Sequence, residues 1–138
     1  MIVYLDTSSL VKLYVREDGT QDVRALVDGA ALAATSVIAY AEARSAFARR
    51  RRERSFTRRE HSRVKDALDR DWPSYLALDV TQPIARHAGD LAELHELRAF
   101  DGIHLASYRS VAAAIPDQPV VFSSFDERLS AAAATTSA

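Results

Sequence analysis

The 138-residue sequence predicts an α/β fold: a three-layer α/β/α sandwich around a mostly parallel central sheet of four to five strands, with a protruding helical hairpin. Three observations carry that reading. Short apolar runs alternate with stretches of helical periodicity along the chain. Two long helical stretches follow one another in the middle with no strand between them. The first apolar run ends on a carboxylate, Asp6, where an open parallel sheet presents its ligand-binding edge.

Ile2 to Leu5 reads as a buried strand because its apolar character is uninterrupted. A short helix follows through Leu10, Leu13 and Tyr14, and another from Asp22 to Asp28, with Gly19 and Gly29 as punctuation. Ala30 to Ala34 forms a weak second strand, and Thr35-Ser36 offers N-cap hydroxyls to a long helix with a stripe at Tyr40, Ala43 and Phe47. Thr57 begins the second long helix, reaching Arg70, with Glu60 completing a capping box. These two helices make the hairpin. A third strand is expected over Tyr75 to Val80, and Pro83 favours the first turn of a helix that extends to about Leu97. Another helix runs from Asp101 to Ala114 and stops before Pro116. A fourth strand covers Val120 to Ser123, and a last helix starts at Asp126 and runs towards Ala134. Residues 1–134 therefore read as one domain and 135–138 as a frayed tail.

A content of 48% hydrophobic residues suffices for one substantial core. The absence of Cys excludes disulfides and thiolate-based zinc sites. The first apolar run is too short for a secretory leader and meets Asp6 at once. No later run approaches the length of a membrane span, so a cytoplasmic protein is expected. The net charge of −1 hides an asymmetry, with 11 basic and 5 acidic residues between Arg44 and Asp71 against 7 and 14 elsewhere. A basic segment attracts phosphate backbones, and an acidic remainder concentrates divalent cations.

Four acids stand out. Asp6 alone is explained by N-capping the helix that follows it. Glu42 has Ile38, Ala39, Ser45 and Ala46 as its helical neighbours, so it needs a partner from another element or a position that reaches water. Asp101 stands at an expected helix start, where capping again accounts for it. Asp126 follows the strongest late strand, with Ser124 and Glu127 in capping-box spacing. Taken together the four point elsewhere, because a doubly wound sheet brings strand ends and helix starts to one crevice. Carboxylates about 4 Å apart repel by roughly 4 kcal/mol at an effective dielectric near 20, so such a cluster calls for protons or cations. All-oxygen donors suit Mg²⁺ or Mn²⁺.

These residues resemble the PIN-domain ribonucleases, and within them the VapC-type toxins of toxin–antitoxin systems. The resemblance rests on the strand leading into Asp6-Thr7-Ser8-Ser9-Leu10, on Thr35 to Glu42, on Leu97 to Ala106 around Asp101, and on Ser124-Phe125-Asp126. It covers nearly the whole chain. It implies a PIN-like fold and Mg²⁺-dependent hydrolysis of RNA phosphodiesters, with Mn²⁺ as a substitute. It also implies that Asp6 and Asp101 hold metal, that Glu42 and Asp126 do so directly or through water, and that Ser8 and Ser124 support them. In this family the last acid varies, and Asp117 is a second candidate for it. The resemblance further implies a homodimer and a cognate antitoxin protein, in a toxin–antitoxin hetero-oligomer whose toxin inhibits translation and growth.

The run Arg49, Arg50, Arg51, Arg52 and Arg54 reads either as a solvated helix end or as a grip on RNA phosphates or an acidic antitoxin segment. The four His residues form no ligand pair; His104, one turn after Asp101, is placed to hydrogen-bond within the site, but a helix-surface or satisfied core side chain is the simpler reading. Two rivals stay open. A phosphotransferase with Asp6 as nucleophile shares the strand-end carboxylate but lacks a second Asp two residues on and a late Lys. A noncatalytic or housekeeping RNA-binding protein keeps the fold but does not account for four acids.

Overall fold

The computed structural model describes residues 1–135, so most of the expected tail lies outside the described residues, while Thr135 closes the last helix. Strand β1 (Ile2–Leu5) is buried along its whole length and sits second from one edge of the sheet. Its neighbours are β2 (Leu32–Ser36) and β4 (Val120–Ser123), and β3 (Leu76–Leu78) pairs with β2. All pairings are parallel, in the order β3-β2-β1-β4. The Asp6 amide donates to Ser123 O at 3.1 Å and carries the β1–β4 ladder one residue beyond the strand.

The period-two alternation of β1 divides the core. Val3 and Leu5 pack with Leu10, Val11, Val23, Phe47, Val64 and Leu68 on one face. These come from α1 (Thr7–Lys12), α2 (Thr20–Gly29), α3 (Ile38–Arg52) and α4 (Arg58–Asp71). Ile2 and Tyr4 point to the opposite face, towards Val111 of α6 (Ala99–Ala114). There α6 packs on α5 (Gln82–His95) and α7 (Glu127–Thr135) through Leu105, Ala88, Leu91 and Leu129. Helices cover both faces, which gives the three layers. Among the described residues no helix is long and apolar enough to cross a membrane.

Local chemistry sets the element boundaries. Thr57 and Glu60 form the expected capping box at the start of α4, and Thr81 caps α5 with Pro83 in its first turn. The expected cap by Thr35-Ser36 is made only in part. Both residues belong to β2; Thr35 Oγ1 donates to Leu5 O at 2.7 Å, whereas Ser36 Oγ accepts from the amide of Ile38, the first residue of α3, at 3.3 Å, and Val37 at the cap position adds no side-chain bond. A hydroxyl that finds a buried carbonyl across the sheet is held there instead of turning back on its own helix. Helix α6 begins after Arg98, so Asp101 lies inside the first turn and caps nothing. Next to it, Gly102 permits close approach of α6 to α5: a methyl group there would stand 2.6 Å from the Ala88 carbonyl oxygen.

Candidate metal centre at the carboxyl edge of the sheet

Asp6 is 4% exposed and tied down on both oxygens. Its Oδ1 accepts from the Ser9 amide at 3.0 Å, the α1 cap, and from Ser8 Oγ at 2.7 Å. Its Oδ2 accepts from Ser124 Oγ at 2.6 Å. Ser124 Oγ accepts in turn from the Asp126 amide at 3.0 Å, and Ser8 Oγ from the Phe125 amide at 3.0 Å. The two hydroxyl side chains thus knot the end of β1 to the end of β4 and fix the approach of Asp126. The count of lone pairs leaves Asp6 one further acceptor site, on Oδ2. A carboxylate so fully engaged is poorly suited to act as a nucleophile.

The expected Ser124–Glu127 capping box is not formed. Asp126 itself caps α7, with Oδ1 accepting from the Leu129 amide at 2.9 Å, because Ser124 is already committed to Asp6. Asp101 and Asp126 line one cavity of about 260 Å³ together with Glu96, Leu97, Arg98 and Arg128. Arg98 Nε donates to Asp101 Oδ2 at 3.3 Å. Burial raises the Asp101 pKa; Arg98 opposes the rise, and the charges of Asp126 and Asp6 add to it. Asp101 therefore sits in a field in which negative charge from Asp126 and Asp6 adds to the cost of its own ionisation.

Glu42 reaches the same edge from α3. Its Oε1 accepts from Thr7 Oγ1 at 2.5 Å and lies 3.1 Å from His104 Nε2. Burial pushes its carboxyl up, but the His104 and Thr7 hydrogen bonds and the charges of His104 and Arg98 outweigh it, and the pKa is lowered. Glu42 lines a second cavity of about 490 Å³ with Thr7, Ile38, Arg49 and Phe100. Phe100 of this second cavity is followed directly in the chain by Asp101 of the first.

The donor chemistry fits a hard divalent cation, because every candidate ligand is a carboxylate and the Asp101 side lacks enough positive charge. Among the described residues no three His, Asp or Glu side chains are grouped closely enough to hold a metal ion by themselves. Asp117 lies in the turn before β4, at the opposite edge of the sheet from Asp6, and is outside this crevice.

Of the arginines, Arg49 lines the Glu42 cavity, whereas Arg50 is bound to Glu17 at 2.7 Å. Arg52 and Arg54 are exposed and Arg51 is half-buried. Sequence reasoning missed Thr7, Arg98 and Phe100 as neighbours of these acids, and set a hydrogen bond of His104 within the site behind a helix-surface or core reading. The available signals were the hydroxyl directly after the strand-end acid and the position of His104 one turn beyond Asp101.

The PIN domain family model matches residues 3–134. Two curated proteins of Mycobacterium tuberculosis, Ribonuclease VapC45 of strain CDC 1551 / Oshkosh and Ribonuclease VapC49 of strain H37Rv, are each 39% identical over 132 residues. The match covers 93% of this chain and 86% of each of them. The crystal structure of Mycobacterium tuberculosis VapC20, described as a sarcin-ricin loop cleaving toxin, superposes with a TM-score of 0.70. That superposition spans 94% of both chains at 18% identity, a likeness of fold. With a family match over nearly its whole length and relatives this similar, the chain belongs to the PIN-domain family, in its VapC-type group.

Proposed function

We propose that this protein is a Mg²⁺-dependent endoribonuclease, the toxin of a toxin–antitoxin pair that inhibits translation and growth. The observation that carries the proposal is the pair Asp101 and Asp126 lining one cavity at the carboxyl edge of a parallel sheet, with Asp101 held above its ordinary pKa by burial and by the charges of Asp126 and Asp6. The relatives' names supply the substrate class.

In this reading Asp6 and Asp101 hold the cation, and Glu42 and Asp126 contribute directly or through water. Held there, Mg²⁺ or Mn²⁺ would supply neutralisation of developing negative charge and would make water more acidic. Ser8 and Ser124 fix the rotamer of Asp6. Glu42 is ionised at neutral pH and offers Oε2 as acceptor to the water that attacks phosphorus in line. Arg98 and Arg49, placed at the two cavities, bind flanking phosphates. Water is the nucleophile, so no covalent enzyme intermediate forms. The exposed arginines Arg52 and Arg54 add non-specific affinity, or meet an acidic segment of the antitoxin. A homodimer within a toxin–antitoxin hetero-oligomer, and a cytoplasmic location, belong to the same proposal.

The test is cleavage of a total RNA pool by wild type, Asp6→Asn and Asp101→Asn, each with Mg²⁺ or with EDTA. The proposal expects cleavage by wild type in Mg²⁺ alone. Equal cleavage by all three proteins overturns it. For the toxin role, growth arrest on expression should be relieved by co-expressing the product of an adjacent short reading frame.

A further inference from the structure

We infer that His104 is a positioning residue for Glu42, holding one carboxylate oxygen so that the other is presented to the reaction; this rests on the nuclease reading above. Glu42 comes from α3, on the opposite side of the sheet from α6, and nothing on its own helix neutralises or orients it. Both of its hydrogen bonds converge on Oε1, from Thr7 Oγ1 and from His104 Nε2, leaving Oε2 without a hydrogen bond among the described residues. His104 is 2% exposed and is itself clamped. Its Nδ1 lies 2.9 Å from Tyr4 Oη, and its Nε2 lies 3.0 Å from Thr7 Oγ1.

Tyr4 is a fixed reference point. It is fully buried in β1, stacked on Phe122 of β4 with ring centroids 5.7 Å apart, and edge-on to both His104 and Tyr108 of α6. Nε2 faces a carboxylate oxygen, so it carries the proton, and Thr7 Oγ1, donating its own proton to Glu42, accepts from Nε2. The chain Tyr4–His104–Glu42 therefore references α3 to the same strand that ends in Asp6 and to the same helix that carries Asp101. An outer partner that orients a ligand in this way typically changes metal affinity or activity by about 10- to 100-fold when removed.

Three substitutions separate positioning from bulk packing. In His104→Gln the amide nitrogen reaches about where Nε2 stands, and in His104→Asn only about where Nδ1 stands; His104→Leu keeps neither. Two readouts are made on folded protein: Mn²⁺ affinity by electron paramagnetic resonance without RNA, and kcat and KM for cleavage. The inference expects Leu and Asn to weaken Mn²⁺ binding and lower kcat by about 10-fold or more, with KM within about 2-fold. Gln should restore most of both, and Tyr4→Phe should fall between wild type and Asn. If Leu fails to fold, the Asn and Gln pair decides the matter. Wild-type behaviour in Asn and Gln alike, or equal loss in both, overturns the positioning role. A wild-type protein that neither binds Mn²⁺ nor cleaves RNA overturns the nuclease reading and this inference with it.

Discussion

Replacing Asp101 by Asn should stabilise the metal-free protein while removing its activity. The Asp101 side chain is 18% exposed. Burial raises its pKa above the ordinary 3.8, against the pull of Arg98 and with the support of Asp126 and Asp6. The native state then binds more protons than the unfolded state above pH 3.8, so stability falls as pH climbs through that window, and the full penalty is present at neutral pH. Asn has nearly the same shape and no charge, so it removes the penalty. Against this stands the loss of the Arg98 ion pair, whose guanidinium-bearing side chain is 84% exposed and which contributes about 0–1 kcal/mol. With the like-charge repulsion discounted for solvent screening, the net gain is about 1 kcal/mol. For a domain of this size that is a rise in Tm of about 3–4 °C. Thermal unfolding of both proteins in EDTA at pH 7.5 and pH 3 measures it, and the gap should shrink at the lower pH, where the wild-type side chain is protonated. RNA cleavage by the same preparations should fall by more than the roughly 100-fold typical of outer-shell partners. A variant less stable than wild type at pH 7.5, or an equal gap at both pH values, refutes the charge argument.

The Glu42 carboxyl carries the opposite sign. Its pKa is lowered, so its contribution is present above pH 4.5 and lost as pH falls through the depressed value; denaturant titrations of Glu42→Gln should show a deficit of about 1 kcal/mol at pH 7 that vanishes by about pH 3. Ser124→Ala removes the donor to Asp6 Oδ2 and the acceptor of the Asp126 amide. A loss of about 2 kcal/mol in urea unfolding is expected, with kcat reduced more than KM is raised. Arg49→Ala in an Asp101→Asn background should lower the salt slope of RNA affinity by about one, measured by filter binding across a KCl series. Arg50→Ala should lower stability by breaking the Glu17 pair and change that slope less.

The parts of this molecule that were legible in its sequence are those decided by near neighbours. The apolar run into Asp6, the Thr57–Glu60 box and Pro83 at the start of α5 each depend on residues within one turn, and each formed as read. Boundaries shifted where a distant group competed. Thr35 was claimed by the Leu5 carbonyl across the sheet, and Ser124 by Asp6 across 118 positions of chain, which left Asp126 to cap α7. The partner of Glu42 was illegible for the same reason. No helical spacing reveals a histidine 62 residues away, and none reveals that Tyr4 holds that histidine from 100 residues away. Glu42 announced itself as a charge among apolar helical neighbours and Asp6, Asp101 and Asp126 as acids at strand ends or helix starts, whereas His104 sits in a helix whose neighbours Ile103 and Leu105 make a satisfied core side chain the natural expectation.

The claim that these carboxylates form a metal centre is tested most directly by anomalous diffraction from crystals of the protein soaked in Mn²⁺, with data collected at the manganese edge. The account predicts a peak within ligand distance of Asp6 Oδ2 and the Asp101 carboxylate, about 2 Å from each coordinated oxygen, and its absence in Asp101→Asn crystals. No peak in the crevice at saturating Mn²⁺, or a peak held only by residues outside it, contradicts the account.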